Sequence, residues 1–491
     1  MRENRRTPLS IEPQAFRELG HDLVDRIADF MQSLPERAVA PNAGPEDLRG
    51  LIGNSALPVD GADPRSLLEE ATTLLVENST FNAHPRFFGY ITAGPAPIGV
   101  LGELLAAGIN PNCGAWALSP IATEIEVQTV RWIAELVGCN MGWGGLLVSG
   151  GNVANFTAIL AARTAVARNA RAAGVGTRLR LYASAETHTW IQKAADMFGL
   201  GTDAIRWIPT DRRQRLDVAA LRSAIVHDLD NGDTPLAVVG TAGSVSTGAV
   251  DPLDQIADVC LEHGVWFHVD GAYGGFAACL PELAAEFRGM GRADSIAMDP
   301  HKWLYAPLEA GCTLVKRPDT LREAFSYHPA YYHFGVEATN FLDYGMQNSR
   351  GFKALKVWLA LRHAGRSGYQ RMIADDIALA RHLYDVVADH PELEAVTHSL
   401  SIATFRYVPP ELQARRGDPE VETQLNQLNE QLLEALQCNG EAFVSNAVVD
   451  GRYVLRACIV NFNTTRSDIE AIPEIVARTA RNLRPVSAVP G

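Results

Sequence analysis

Two apolar segments that each end in polar residues constrain the fold of this chain more than any other feature. The first runs from Val265 to Val269 and ends in Asp270, and the second, 295–298, leads into DPHKW at 299–303. Short apolar runs are typical of buried strands, and open α/β sheets bind ligands beyond the carboxyl ends of their strands. We therefore expect two neighbouring strand ends to direct a carboxylate and an amine into one pocket.

The amine in this pair, Lys302, belongs to a residue type that is rare in the chain. Five lysines stand against thirty-eight arginines, so nearly all surface cations are arginine. A partly desolvated lysine is neutral often enough to form a Schiff base, and an aspartate can keep a pyridine nitrogen protonated. Lys302 and Asp270 together therefore suit pyridoxal 5'-phosphate (PLP), whose protonated ring acts as an electron sink.

Both segments resemble the signature of the PLP-dependent group II amino-acid decarboxylases, which include the aromatic-L-amino-acid, glutamate and histidine decarboxylases. That family carries HVDAA followed by NPHKW, and this chain has HVDGA at 268–272 and DPHKW at 299–303. The resemblance implies an α/β PLP-dependent transferase of fold type I, like aspartate aminotransferase, with a mostly parallel central sheet. It also implies a homodimer and an amino-acid substrate.

The apolar pattern of the chain agrees with such a fold. Strands are expected near residues 146, 180, 206, 237, 266, 296 and 312, with helices between most of them, which is the rhythm of a doubly wound sheet. Apolar residues at three-to-four spacing predict two earlier helices, 13–31 and 66–77, separated by an irregular stretch rich in proline and glycine. Later segments predict helices near 369–389 and 420–437 and strands near 402–407 and 454–460.

These elements divide the chain into three expected parts. They are an N-terminal helical arm (1–85), a large PLP-binding domain (86–347) and a small C-terminal α+β domain (348–491). Two helices with an irregular connection make a poor independent core, so the arm is expected to pack against something larger. The resemblance implies that it clasps the partner subunit.

Composition narrows the class of partner. The 491-residue chain has a formal net charge of −14, which offers nothing to nucleic acid or an anionic membrane, so a small-molecule substrate is expected. No run of about 18 apolar residues occurs, and no apolar stretch follows the charged amino terminus, so neither a membrane span nor a secretory signal is expected. Seven scattered cysteines without a CxxC pair favour a reduced, cytoplasmic protein.

Several further residues have both a functional and a structural interpretation. An apolar strand runs into SGGN at 149–152, where free N–H groups at a helix start would bind an anion, although such a turn is often only a turn. Without context a histidine such as His188 is more often structural, but the resemblance implies that it stacks on the PLP ring. The resemblance implies that the catalytic residues are Lys302, His188 and Asp270. The cofactor-binding residues that it implies are Gly150, Gly151, Asn152, His188, Ser244, Asp270, Ala272, Asp299, His301 and Lys302.

The resemblance also implies the reaction and three substrate-binding residues. The reaction is decarboxylation of an L-amino acid to the amine, with aromatic amino acids as candidates, and the residues are Tyr90, Trp116 and Phe341. Tyr90 and Trp116 could equally be packing residues. A different PLP reaction, such as that of an aminotransferase, and a non-enzymatic PLP-binding protein are the less favoured alternatives.

Phe341 departs from the family pattern. Aligned without gaps, TNF at 339–341 falls on the family's TDY, whose tyrosine is thought to return a proton to Cα. In family members with this change, the carbanion left by carbon dioxide reacts with dioxygen, and the products are an aldehyde, ammonia and peroxide. A shifted loop in which Tyr344, Tyr331 or Tyr332 gives the proton is the other explanation. Oxidative deamination is therefore the alternative to simple decarboxylation.

Overall fold

The computed structural model describes residues 7–176, 178–327 and 338–483. The helices are α1 (Pro13–Ser33), α2 (Pro45–Ile52), α3 (Pro64–Asn78), α4 (Pro97–Ile109), α5 (Pro120–Leu136), α6 (Gly151–Val166), α7 (Ala170–Ala173), α8 (Trp190–Met197), α9 (Val218–Asp230), α10 (Leu253–His263), α11 (Pro300–Trp303), α12 (Asp319–Phe325), α13 (Ala354–Ala388), α14 (Pro419–Asn439) and α15 (Arg466–Asn482). The strands are β1 (Gly144–Val148), β2 (Leu179–Ser184), β3 (Ile205–Ile208), β4 (Thr234–Thr241), β5 (Trp266–Asp270), β6 (Ser295–Met298), β7 (Gly311–Val315), β8 (Leu393–Ser399), β9 (Ile402–Tyr407), β10 (Ser445–Val449) and β11 (Arg452–Cys458).

The central sheet contains the seven strands that the sequence predicts, in the order β1-β7-β6-β5-β4-β2-β3. β5 pairs in parallel with β4 and β6, and β2 pairs in parallel with β4 and β3. β7 is antiparallel to both of its neighbours, β1 and β6. The predicted α/β fold with a mostly parallel sheet is therefore confirmed.

Helices cover the central sheet, which explains why its inner strands are continuous apolar runs. All residues of β5, β6 and β7 are buried, as expected for strands enclosed on both faces. Helix α6 packs against β5, β6 and β7, while α9 and α10 pack against β4. Because β4, β5 and β6 are parallel neighbours, their carboxyl ends lie at one edge of the sheet.

The C-terminal part forms a four-stranded antiparallel sheet in the order β10-β11-β9-β8, covered by α14 and α15. The sequence predicts β9 and β11 but misses β8 and β10. Those two strands lack a continuous apolar run, since β10 buries alternate residues and β8 is mostly half-buried. Helix α13 joins the two sheets, packing against α4 and α5 as well as β8 and β9, and it is broken at Gly365, whose φ is 65°.

The N-terminal helices bury very little. Leu19 is the one buried residue of α1, and α2 and α3 bury none. Helix α2 corrects the prediction of an irregular connection between the two predicted helices. It begins because Pro45 suits the first helical position and because the Asp47 carboxylate accepts a hydrogen bond of 2.9 Å from the Gly44 N–H.

Two findings bear on the expectations from composition. Within the described ranges, no helix combines the length and the apolar character that crossing a bilayer would need. All seven cysteines are unpaired, and six of them are buried. The core therefore contains free thiols, as the sequence predicts.

Candidate active site

A cavity of about 370 Å³ lies at the carboxyl ends of β4, β5 and β6. It is where the sequence predicts a pocket, because Asp270 ends β5 and Lys302 follows β6 in the short helix α11. Nine of the ten predicted cofactor-binding residues line it: Gly150, Gly151, Asn152, His188, Asp270, Ala272, Asp299, His301 and Lys302.

The Asp270 carboxylate is fixed by two donors. Nε1 of Trp190 donates to Oδ2 over 2.6 Å, and the Ala272 N–H donates to Oδ1 over 3.2 Å. Asp270 is buried in the wall, where a charge-assisted hydrogen bond is stronger than in water. The carboxylate is thus held in one orientation beside the cavity, with acceptor capacity left for a ligand cation.

A row of buried polar side chains supports this strand end. His268 lies two residues before Asp270 on β5; its Nδ1 is 2.8 Å from Ser295 Oγ and its Nε2 is 2.6 Å from Asn155 Oδ1. Burial lowers the pKa of His268 to about 4, so its imidazole is neutral at neutral pH. Asn155 in turn donates to the Gly151 carbonyl over 2.8 Å. These bonds connect the strand that carries Asp270 to the glycine-rich turn.

Lys302 belongs to a compact charged cluster. Its Nζ lies 3.2 Å from Asp299 Oδ2, and Nε2 of His301 lies 3.6 Å from the same oxygen. Burial lowers the pKa of His301, whose Nδ1 accepts a hydrogen bond of 3.2 Å from the Ala310 N–H. The other oxygen of Asp299, Oδ1, is buried without a hydrogen-bond partner among the described residues. The cluster therefore leaves one strong acceptor unsatisfied at the cavity wall.

The glycine-rich turn between β1 and α6 approaches this cluster closely. Gly150 has a φ of 152°, which side chains disfavour, and a Cβ on Gly151 would lie 2.7 Å from Asp299 Oδ2. Gly151, Asn152 and Val153 form the first turn of α6 and line the cavity. The N–H groups of a first helical turn lack intrahelical partners and attract anions. The turn can therefore hold a phosphate.

His188 lines the same cavity in the segment that follows β2. Its Nδ1 accepts a hydrogen bond of 3.3 Å from the Trp190 N–H. Burial lowers the pKa of His188, although the nearby charge of Asp270 acts in the opposite direction. The ring is therefore neutral at neutral pH and can lie against the face of a flat ligand.

The cavity fits PLP. It combines an amine for the aldehyde, a carboxylate for the ring nitrogen and a helix start for the phosphate. Buried polar groups in native proteins normally have partners, so unsatisfied ones at a cavity wall point to a polar ligand. Within the described residues, the unsatisfied wall atoms are Thr92 Oγ1, Thr241 Oγ1 and Asp299 Oδ1.

Ser244 is the predicted cofactor residue that does not line the cavity. Its hydroxyl lies 3.0 Å from Thr247 Oγ1 and accepts a hydrogen bond of 3.2 Å from the Ala249 N–H. The residues on either side, Gly243 and Val245, do line the cavity. The hydroxyl therefore shapes the turn that forms part of the wall.

The three predicted substrate-binding residues also lie outside the wall of this cavity. Tyr90 is exposed beside the wall residue Ile91, and Trp116 is half-buried. Phe341 is 1 % exposed and packs on the guanidinium of Arg350, whose Cζ is 4.7 Å from the ring centroid. A single chain therefore does not bring these residues to its own cavity.

Of the three tyrosines that are alternative proton donors, the structure describes Tyr344. Tyr331 and Tyr332 lie outside the described residues. Tyr344 packs edge-on against Phe341 with 6.0 Å between ring centroids, and burial raises its pKa. Phe341 and Tyr344 both belong to an apolar cluster around β1, and neither lines the cavity.

Two residues near the cavity are absent from the sequence predictions. Arg456 in β11 is 3 % exposed and has no carboxylate within 4 Å in the described part of the chain; its Nη1 donates to the Val245 carbonyl over 2.5 Å. Burial lowers the pKa of Arg456. The sequence does contain a signal for Arg456, because it is the one charged residue in the otherwise apolar run LRACIV at 455–460. No local pattern could reveal that Trp190 bonds to Asp270, because 80 residues separate them.

Comparison with known proteins agrees with this geometry. Residues 45–408 match the model of the pyridoxal-dependent decarboxylase conserved domain. The chain is 33 % identical over 466 residues to the aromatic-L-amino-acid decarboxylase of Bacillus atrophaeus, covering 94 % of each chain. It is 31 % identical over 463 residues to a phenylacetaldehyde synthase of a Rosa hybrid cultivar, covering 92 % of this chain and 91 % of that one. The crystal structure of Oryza sativa TDC with PLP and tryptamine has a TM-score of 0.90 and 30 % identity, covering 97 % of this chain and 99 % of that one.

The family match extends over most of the chain, and the cavity contains the groups that the family's cofactor requires. The protein is thus an enzyme that uses PLP to decarboxylate an amino acid. By motif, fold, cavity and comparison, the chain belongs to the pyridoxal-dependent decarboxylase family.

Proposed function

We propose that this enzyme removes the α-carboxylate of an aromatic L-amino acid, releases the amine, and uses Lys302 and Asp270 to do so. The observation that carries the proposal is the meeting of both side chains in one cavity at two adjacent parallel strand ends. The aromatic class is supported by the Bacillus relative and by the tryptamine in the Oryza structure. The apolar and aromatic wall residues Ile91, Val245 and Tyr273 suit such a side chain.

Each catalytic residue has a role that follows from its position. Lys302 would hold the cofactor through its aldehyde until the substrate amine takes the place of the lysine amine. Asp270, oriented by Trp190, would keep the ring nitrogen protonated, and the neutral imidazole of His188 would lie against the ring face. Bound PLP supplies an electron sink for the bond that releases carbon dioxide.

The remaining cofactor residues hold the phosphate end and the ring edge. The turn formed by Gly150, Gly151 and Asn152 offers N–H groups to the phosphate, with His301 as a further donor. Asp299 orients Lys302 and His301 through the contacts at 3.2 and 3.6 Å. Ala272 lines the cavity and would lie beside the ring, and Ser244 acts indirectly by shaping the 243–245 turn.

Oxidative deamination is the second candidate. It is supported by Phe341 at the position of the family's proton-donating tyrosine and by the similarity to a phenylacetaldehyde synthase. Phenylalanine has no proton to return to Cα, so the carbanion would survive long enough to react with dioxygen. Decarboxylation is the first step in both candidates.

The active enzyme in this proposal is a cytoplasmic homodimer in which Tyr90 and Trp116 complete the partner's cavity. The support is the apolar surface left open on the arm and on α4, which a single chain does not cover. The more than half-exposed side chains on these two elements include Phe16, Leu75, Leu101, Leu104, Leu105 and Ile109. An active monomer in sedimentation would contradict the homodimer.

The division into an arm (1–85), a large domain (86–347) and a small domain (348–491) belongs to the same proposal and is supported by the two separate sheets.

A panel of L-amino acids tests the substrate and the reaction type together. Purified holoenzyme is incubated with each, and carbon dioxide, amine, aldehyde, keto acid and peroxide are measured. Carbon dioxide with amine from an aromatic substrate is the expected result. Keto acid without carbon dioxide would show aminotransfer and contradict the proposal.

The variant Phe341→Tyr separates the two candidates. If Phe341 occupies the proton-donor position, the tyrosine lowers the ratio of aldehyde to amine. The matched control is Phe325→Tyr, because Phe325 packs against the same apolar cluster. A wild type that makes only amine, with neither substitution changing the products, would remove oxidative deamination.

A further inference from the structure

A second and larger cavity, about 800 Å³, shares no lining residue with the cofactor cavity. It lies between the loop after β3, the segment 247–255, and the C-terminal sheet with α13. Its volume falls within the range of small-molecule sites, roughly 300 to 1,000 Å³. Six arginines line it, and we call it the arginine cleft: Arg212, Arg213, Arg215, Arg288, Arg381 and Arg452.

The arginine cleft is positive in a chain whose net charge is −14. Its six arginines face four carboxylates, and two of these are already occupied. Asp251 accepts hydrogen bonds from the backbone N–H groups of Leu216 and Thr241 over 2.7 and 2.8 Å, and Asp254 pairs with Arg292 at 2.6 Å. Of the other two, Glu286 is exposed and Asp450 lies 3.8 Å from Arg452, so the lining keeps a formal excess of two arginines over carboxylates.

Half of these arginines are unpaired. Arg212, Arg213 and Arg288 have no carboxylate within 4 Å in the ranges that the structure describes. The other three pair with acids: Arg215 with Asp211, Arg381 with Asp385, and Arg452 with Glu394. All three are exposed, and each presents a planar fork of donors that matches phosphate oxygens, so together they can bind an anion at more than one point.

The neighbouring groups also suit an anion. His398 lines the cleft, and its Nε2 is buried without a hydrogen-bond partner among the described residues. Nε2 of Gln214 donates to Asp450 Oδ1 over 2.9 Å, joining the loop after β3 to the β10–β11 turn. The two walls are thus held together without a ligand, which lowers the entropic cost of binding one.

One short segment connects the arginine cleft to the cofactor cavity. Gly243 and Val245 line the cofactor cavity, whereas Thr247 and Ala249 line the cleft. Ser244 braces the segment through its contacts with Thr247 and the Ala249 N–H, at 3.0 and 3.2 Å. A ligand that fixes one side of this segment limits its motion on the other.

We propose that the arginine cleft is an effector site for a small anion that carries at least two phosphate groups, with one site in each subunit. A single phosphate would engage only part of the cleft, whereas a diphosphate can bridge guanidinium groups on separate walls. Arg212 and Arg213 come from the loop after β3, and Arg288 comes from the segment after β5.

Calorimetric titration of inorganic pyrophosphate into the holoenzyme tests this proposal. Holoenzyme is used because, in the proposed function, the cofactor phosphate fills the turn at 150–152. Potassium chloride keeps the ionic strength constant. The expected result is saturable binding of one pyrophosphate per subunit and a rise in the melting temperature. A binding heat and a rise in melting temperature with pyrophosphate, but not with potassium chloride at equal ionic strength, support a specific site. An equal response to both salts would overturn the proposal.

Variants locate the site. The double variant Arg212→Gln and Arg288→Gln removes two unpaired guanidinium groups and is expected to weaken pyrophosphate binding by about tenfold or more. The matched control is Arg168→Gln, because Arg168 is exposed, lies outside the cleft and has no carboxylate within 4 Å among the described residues. Equal binding in the double variant and the wild type, or equal weakening by the control, would overturn the assignment. Melting temperatures without pyrophosphate verify that all three proteins are folded.

Discussion

Replacing Trp190 by phenylalanine tests whether the orientation of Asp270 controls the reaction. The indole Nε1 donates to Asp270 Oδ2 over 2.6 Å, and the indole ring packs edge-on against His268 at 5.8 Å. Phenylalanine keeps an aromatic ring but removes the donor. Among the described residues, the Asp270 carboxylate then retains the 3.2 Å hydrogen bond from the Ala272 N–H alone and is freer to rotate.

The size of the effect follows from the type of bond. A hydrogen bond to a charged group contributes about 1.5 to 3 kcal/mol. If that interaction is needed to hold Asp270 against the protonated ring while the carboxylate leaves, kcat/KM falls by roughly 10- to 150-fold. Cofactor affinity falls less, because the phosphate turn and Lys302 are untouched.

Trp266→Phe is the matched control. Trp266 is also buried, and its Nε1 donates to Ser295 Oγ over 2.8 Å, so this variant alters the polar row behind Asp270 but leaves the direct donor to its carboxylate in place. Both substitutions delete the same atoms from a buried site, so they cost similar packing energy. Initial rates of carbon dioxide release at saturating PLP, and PLP titrations of the apoenzyme, are measured for both variants. A Trp190→Phe enzyme that matches Trp266→Phe in kcat/KM would refute the reasoning.

Three further predictions follow from the site and its surroundings. Borohydride reduction of the holoenzyme and peptide mapping should place the phosphopyridoxyl group on Lys302, and its recovery on another lysine would contradict the assignment. Gly151→Ala should lower PLP affinity at least tenfold in titrations, because its Cβ would lie 2.7 Å from Asp299 Oδ2, whereas Gly108→Ala, with no atom within 4 Å of the new Cβ, should not. Burial raises the pKa of Asp376 from 3.8 to about 7, so the folded protein keeps a proton that the unfolded chain loses, and this contribution to stability disappears as the pH rises towards 7. As the pH rises from 5 to 8, the free energy of unfolding of Asp376→Asn, measured by urea denaturation, should therefore increase relative to that of the wild type. Parallel pH profiles for the two proteins would contradict this.

Much of the fold and most of the lining of the cofactor cavity could be predicted from local sequence. The seven strands of the central sheet are continuous apolar runs because they are buried on both faces, and parallel strands must place Asp270 and Lys302 at one edge. The turn at 150–152 could also be predicted locally, because its backbone conformation and close contacts require glycine at 150 and 151. These features depend on neighbours in the chain, or on a pairing that the strand pattern already implies.

Other features depended on contacts between distant residues. β8 and β10 are strands because β9 and β11 supply their hydrogen-bond partners, and their own patterns are weak. The Ser244 hydroxyl points to a local turn because Thr247 and Ala249 lie within reach, which a motif cannot specify.

The sequence by itself therefore determined the fold class, the cofactor chemistry and the pair Asp270 and Lys302, because each is encoded in short contiguous segments. Only the tertiary structure decided that Trp190 orients Asp270, that Phe341 is buried away from its own chain's cavity, and that arginines from four separate segments line one cleft. The physical reason is that hydrogen bonds and electrostatic fields act over a few ångströms in space, whatever the separation along the chain.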